Sequence, residues 1–214
     1  MNCLNKNEHI LVVGHKGNMG SRYTTILNYL GVHWTGIDKD QILINNKYTG
    51  IIIATPTGNH VEDILDYQKY NIPILCEKPI TTCLMELDEA LSVKCPLRMI
   101  NQYEYYLLPK AYKIKKHPEY RDDPSTYYNY FKSGKDGLIC DCINLIGLAN
   151  PKGTIEIRND SPIWTAVIND HVLDIQEMDH AYIWNIKDWL LLKNDNRDYI
   201  KLAHERMVSL WNES

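Results

Sequence analysis

Four short apolar runs organise the first hundred residues, and each stops where a polar or glycine-containing turn begins. They are His9-Ile10-Leu11-Val12-Val13, Trp34-Thr35-Gly36-Ile37-Asp38, Gly50-Ile51-Ile52-Ile53-Ala54 and Ile72-Pro73-Ile74-Leu75-Cys76. Runs this short and this apolar predict buried strands. Between them the apolar period changes to that of a helix. Tyr23, Ile26, Leu27 and Leu30 predict a helix over Arg22–Leu30, and Val61, Ile64 and Leu65 predict one opened by Asn59 as N-cap. Leu84, Leu87 and Leu91 predict a third, capped by Thr82. Strands alternating with helices in this way imply a parallel sheet covered on both faces.

The second half has a different texture. Residues 127–132, 153–158 and 163–168 alternate like half-buried strands, and His180–Leu192 and Tyr199–Trp211 carry helical patterns. The Lys-, Pro- and Asp-rich stretch Lys115–Pro124 reads as a boundary. The expected organisation is therefore one domain over residues 1–120 and a small α+β domain over 121–214, whose last helices pack back on the sheet. About ninety residues give that second domain a thin core.

Composition narrows the function. The 214 residues carry a net charge of −4, and 44% of them are hydrophobic. This is a globular balance without the basic surface a general nucleic-acid binder needs. No apolar run approaches the roughly 20 residues of a membrane span, and the N-terminal segment lacks an apolar signal region, so a cytoplasmic location is expected. Six cysteines without such a signal are expected as free thiols. Cys140 and Cys142 have no second pair at zinc-site spacing, so no metal is expected.

The turn after the first run reads Gly14-His15-Lys16-Gly17-Asn18-Met19-Gly20. Glycines between a strand and a helix let the backbone turn tightly and approach a pyrophosphate, which then sits at the positive helix end. Asp38 follows at the end of the second run, where an acidic side chain would accept from the ribose 2′-hydroxyl of NAD. Only a short segment separates Asp38 from Gly50. A parallel crossover needs a dozen residues or more, so Gln41–Asn45 is expected as a short edge element that leaves the adenine side open.

Two further segments close the third and fourth runs: Ala54-Thr55-Pro56-Thr57-Gly58-Asn59-His60 and Cys76-Glu77-Lys78-Pro79. With a glycine-rich first turn, a T-P-x-x-x-H segment and an E-K-P triplet, the chain resembles the Gfo/Idh/MocA family of NAD(P)-dependent oxidoreductases. The resemblance covers roughly residues 9–110. It implies a Rossmann-type, doubly wound parallel sheet followed by a smaller α+β domain. It also implies NAD as cofactor, NADP remaining open, and a small hydroxyl- or carbonyl-bearing substrate such as a sugar, nucleotide sugar or polyol. Gly14, Gly17, Asn18, Met19, Gly20, Asp38, Thr55, Pro56, Thr57, His60, Glu77 and Lys78 would form the cofactor groove. Within it Glu77 would face the nicotinamide ribose, Lys78 would exchange or orient a proton, and a cis bond would precede Pro79. A homodimer is open; membrane and nucleic-acid partners are not expected.

The departures bear on catalysis. The family's D-x-x-x-H motif is matched by Asp141, but Leu145 stands at the histidine position. Candidate catalytic residues are thus Lys78, Asp141 and Tyr105, with Tyr103 as a neighbour of the same kind. The chain is also shorter than the family's usual form. An enzyme is expected. The competing readings are a cofactor-binding regulatory protein without catalysis and a prephenate-dehydrogenase-like enzyme, against which Glu77-Lys78-Pro79 speaks.

Overall fold

The computed structural model describes residues 7–38, 47–101, 112–116, 155–160, 163–168 and 178–212. The chain divides into two compact units. One comprises Met1–Ile100 with Ile183–Ile200, the other Asn101–Tyr182 with Lys201–Ser214.

The first unit is a five-stranded sheet. Strands β1 (His9–Val13), β2 (His33–Ile37), β3 (Gly50–Ile53), β4 (Ile74–Cys76) and β5 (Leu97–Met99) lie in the order β2-β1-β3-β4-β5. Every pairing is parallel. Helices α1 (Asn18–Tyr29), α2 (His60–Tyr67) and α3 (Leu84–Leu91) lie in the β1–β2, β3–β4 and β4–β5 connections. Ile10, Leu11 and Val12 of β1 and Ile51, Ile52 and Ile53 of β3 are fully buried. This is what near-continuous apolar strands covered on both faces require. The strand order reverses between β1 and β3, so the carboxyl ends of β1, β2, β3 and β4 open on one edge of the sheet. The expected doubly wound Rossmann-type α/β fold is the observed one.

Three local expectations change. Helix α1 begins four residues before Arg22, because Gly17 at the N-cap starts it directly from the glycine turn. Helix α3 starts at Leu84 with Cys83, rather than Thr82, at the N-cap position and with no side-chain cap bond. The Thr81 Oγ1 accepts from the Cys83 N–H at 3.1 Å and donates to Glu86. Asn59 does stand at the N-cap of α2, but without a side-chain cap bond.

Strand β5 was hidden by its central arginine. Arg98 is only 1% exposed and survives burial because its guanidinium pairs with Asp188 at 3.2 Å and with the Asn194 side chain. Both partners come from the far end of the sequence. Helix α4 (Met178–Leu192) leads into them, with Trp189 fully buried. The following turn covers the open edge of β5. Asp195 accepts from the Leu97 N–H at 3.0 Å, and the Asn196 N–H donates to the Leu97 carbonyl at 3.2 Å. The Asn196 side chain accepts from the Met99 N–H at 2.9 Å and donates to the Met99 carbonyl at 3.1 Å. The Asp195 and Asn196 side chains, with the Asn196 N–H, thereby satisfy backbone groups that an edge would leave bare. Helix α5 (Arg197–Asn212) continues from this turn.

The described part of the second unit is an antiparallel sheet in the order β6-β8-β7, from β6 (Tyr112–Lys116), β7 (Ile155–Asp160) and β8 (Ile163–Ile168). Strand β8 has its expected bounds, and β7 lies two residues later than expected. Strand β6 was not expected, and Lys115 and Lys116, read as the start of a linker, pair with Thr165 and Trp164. The alternation of Tyr112 and Ile114 with lysines carries a strand period that the charge obscured. The expectations for Gln41–Asn45, residues 127–132, Tyr103, Tyr105, Asp141 and Leu145 lie outside the described residues.

Candidate active site

Four turns at the carboxyl ends of β1 to β4 build the site, and each is held by short-range backbone geometry. Gly14 takes φ +79°, a left-handed conformation that side chains disfavour. A Cβ on it would lie 2.8 Å from the Ala54 carbonyl oxygen. Its N–H donates to the Ile37 carbonyl at 2.8 Å, locking the turn to β2. One helical turn on, a Cβ on Gly20 would overlap the Gly14 carbonyl oxygen, so the helix packs flat on the loop. Helix α1 then starts with no side-chain cap and no acidic residue in its first turn. Bare N–H groups at a positive helix end beside a cradle too tight for side chains fit the pyrophosphate of a dinucleotide.

Asp38 stands at the end of β2, and its carboxylate is shared by the first loop. The Lys16 ammonium is 3.2 Å away, His15 Nδ1 is 3.4 Å away, and the Lys16 N–H points at the other oxygen from 3.4 Å. The His15 ring lies on Gly36, where a side chain would collide with it. Lys16 and His15 are the residues missed, and the visible signal was two basic residues inside the glycine turn.

The third turn places Thr55, Pro56 and Thr57 above β3. The Thr55 hydroxyl donates to Asp63 in the first turn of α2, and burial holds the Asp63 carboxyl above its ordinary range. Thr57 is buried in a short 3-10 turn, Thr57–Asn59. His60, only 1% exposed, ties this turn to the fourth: Nδ1 is 2.8 Å from the Pro79 carbonyl oxygen and Nε2 2.7 Å from that of Thr55. The expectation grouped His60 with the groove-lining residues. Both its nitrogens face backbone, so it is a strut between two groove turns.

A neutral imidazole donates through one nitrogen only, so two carbonyls would favour the charged ring, while burial opposes it. Burial is the larger effect and lowers the His60 pKa below 6.5. Below that value the unfolded chain binds a proton that the folded chain resists, so stability must fall with falling pH. The expected result is a melting temperature that drops as pH is lowered from about 7 through 6.5 and below, with a shallower drop in His60→Asn. Equal slopes in the two proteins would show that His60 does not titrate this way.

The fourth turn carries Glu77 and Lys78 ahead of a cis Lys78–Pro79 bond. Glu77 is 7% exposed, and its N–H continues the sheet to the Ile53 carbonyl at 2.9 Å. One carboxylate oxygen accepts from the Tyr23 hydroxyl, the other from the Lys78 N–H at 2.9 Å. Burial raises the Glu77 pKa against the opposing charge of Lys78. Lys78 is half-buried.

Residues 28–94 match the model of an oxidoreductase family with an NAD-binding Rossmann fold, GFO_IDH_MocA. The matched segment resembles the Rossmann domain of that family. It spans β2 to α3 and includes the T-P-x-x-x-H and E-K-P turns. Solved structures show the same fold at low identity. GenD2 from gentamicin A biosynthesis, in complex with NAD, aligns at TM-score 0.65 and 11% identity over 99% of this chain and 95% of that one. Myo-inositol 2-dehydrogenase from Lactobacillus plantarum aligns at TM-score 0.63 and 12% identity over 96% of both chains. The WlbA (WbpB) dehydrogenase from Thermus thermophilus, in complex with NAD and UDP-GlcNAcA, aligns at 0.61 and 11% over 95% and 94%. In other alignments the chain spans only 36–38% of the matched protein. No curated protein matches this chain in sequence. Among the described residues no helix is long and apolar enough to cross a membrane.

Proposed function

We propose that this Gfo/Idh/MocA-type chain is an NAD-dependent oxidoreductase that moves a hydride between the nicotinamide and a small hydroxyl- or carbonyl-bearing substrate. The observation that carries this reading is the convergence of the Gly14–Gly20 cradle, Asp38, the Thr55–Thr57 turn and Glu77-Lys78-Pro79 on one sheet edge. In this proposal Gly14, Gly17, Asn18, Met19 and Gly20 hold the pyrophosphate, Asp38 the adenosine ribose, and Thr55 to Thr57 the nicotinamide side of the groove. Bound there, the nicotinamide supplies or takes up the hydride. Lys78 holds the proton that must leave or reach the substrate oxygen, a task suited to an amine whose proton affinity its surroundings tune. Asp141 and Tyr105 stay as candidate helpers. The substrate class is a sugar, nucleotide sugar or polyol, supported by the myo-inositol 2-dehydrogenase and UDP-GlcNAcA-bound dehydrogenase among its structural likenesses.

A second reading, a cofactor-binding regulator, draws on Leu145 at the position of the family histidine. The two part on one assay: NAD reduction across a panel of polyols, sugars and nucleotide sugars. Turnover of any member supports the enzyme, and tight NAD binding with no turnover supports the regulator.

Cofactor choice is testable independently of the substrate. Asp38 favours a ribose hydroxyl and repels a 2′-phosphate, but Lys16 and His15 beside it soften that repulsion. Titration calorimetry is expected to show NADH bound more tightly than NADPH by about tenfold, or about 1.4 kcal/mol. NADPH binding the more tightly would mean that the loop cations, rather than Asp38, govern the ribose end.

A further inference from the structure

Helix α4 is apolar on both sides. Its inner side is buried at Ile186, Trp189 and Leu190. Its outer side carries Trp184, Leu191 and Leu192, which are 53%, 37% and 60% exposed. All of these residues belong to the first unit. A helix that is apolar all round is ordinarily covered all round. Elsewhere in this unit exposed apolar side chains are scattered: Tyr29 at the end of α1, Tyr70 after α2, Leu84 and Met85 at the start of α3. Three along one helix make a patch of the kind that marks an interaction site, which isolated ones do not.

We propose that this outer face binds the same face of a second copy of the chain, with the two α4 helices antiparallel about a two-fold axis between Lys187 and Asp188. The residues of the face decide the partner. Trp184 and Leu191 are seven residues apart, so they stand within about 20° of each other around the helix. Lys187 and Asp188 lie between them, one on either side of that line, and Ile183 and Leu192 flank the face. Turned end for end, the face meets its own complement: Trp184 against Leu191 of the second copy, Ile183 against Leu192, and Lys187 against Asp188. Each pairing then occurs twice, as a two-fold interface requires. A parallel pair would instead set lysine on lysine and aspartate on aspartate, like charge against like. Both charged groups are placed to take part. The Lys187 ammonium is 5.1 Å from the centroid of the Trp184 ring, beside the apolar centre of the face. Asp188 pairs with Arg98 at 3.2 Å and still has 28% of its side chain exposed.

One helix on one helix lies at the low end of interface size, so a dimer with Kd on the order of 10 µM is expected. Sedimentation velocity of the full chain, from about 1 to about 300 µM, spans that value on both sides. The expected result is a shift from monomer to dimer across the range. Trp184→Glu removes the largest side chain of the face, and Lys187→Glu sets like charges against Asp188 twice over. Each is expected to raise Kd by at least about tenfold, the effect of losing a central aromatic or a matched charge. Met85→Glu, on α3 and 81% exposed, should leave Kd within about twofold. A chain that stays monomeric throughout overturns the inference. So does a dimer that both α4 substitutions leave intact, since it would use another face. Should Trp184→Glu fail to melt like the parent, Lys187→Glu and Leu192→Glu decide the matter, both being changes at the outer side. The measurement needs neither cofactor nor substrate, so its outcome is separate from that of the oxidoreductase reading.

Discussion

Lys78→Met is expected to cut turnover by about 10²–10⁴-fold, the usual contribution of one positioned acid–base group, while leaving NAD affinity nearly unchanged. Methionine keeps the length and apolar stem of lysine and removes the charge. The turn itself does not depend on the ammonium. It is held by the Glu77 N–H on Ile53, by the Lys78 N–H on Glu77 and by His60 on Pro79. The variant should therefore fold as the parent does, which a matching thermal melt would verify. A loss under about tenfold would hand the proton to Tyr103, Tyr105 or Asp141.

Gly17→Val should abolish NAD binding and spare the fold. Gly17 takes φ −70° and ψ 168° at the N-cap of α1, extended backbone that valine also adopts. The fold consequently has no need of glycine's conformational freedom there. What it has is a helix N-terminus with no side-chain cap, and an isopropyl group would stand where the pyrophosphate approaches. Gly20 would be a poor probe of the same question, since any side chain there strikes the Gly14 carbonyl and disturbs the loop itself. Calorimetric titration of a normally melting Gly17→Val with NADH is the measurement. Unaltered binding would place the cofactor elsewhere.

The parts of the molecule legible in the sequence were those whose signal is local. Near-continuous apolar runs marked β1, β3 and β4, because a strand buried on both faces has no polar side to show. The glycine turn and the T-P-x-x-x-H and E-K-P segments stood at strand ends, which gathers them on the sheet edge where the site is proposed. What escaped depends on partners distant in sequence. Arg98 concealed β5, since an arginine in a three-residue strand reads as surface until Asp188 and Asn194 are brought to it. Tyr23 read as an ordinary apolar helix position, and only the fold sets its hydroxyl on Glu77. Likewise, the spacing of His60 gave no hint that both ring nitrogens would be spent on backbone carbonyls. The Lys16 and His15 contacts to Asp38 were hidden for the same reason, although all three residues lie in segments already singled out.

The cover over β5 has a consequence for the order in which the molecule can be made. Synthesis runs from the N-terminus, and domains generally fold as their residues emerge. All five parallel strands are complete by Met99, yet Asp195 and Asn196, which close the last of them, follow nearly a hundred residues later. Throughout that interval the nascent sheet presents an unpaired strand, the kind of template on which chains join one another. A ribosome that stalls before Asn194 would release a protein with every site turn in place and one adhesive side. Completion of the C-terminal segment is thus the step that closes the β5 side of the sheet.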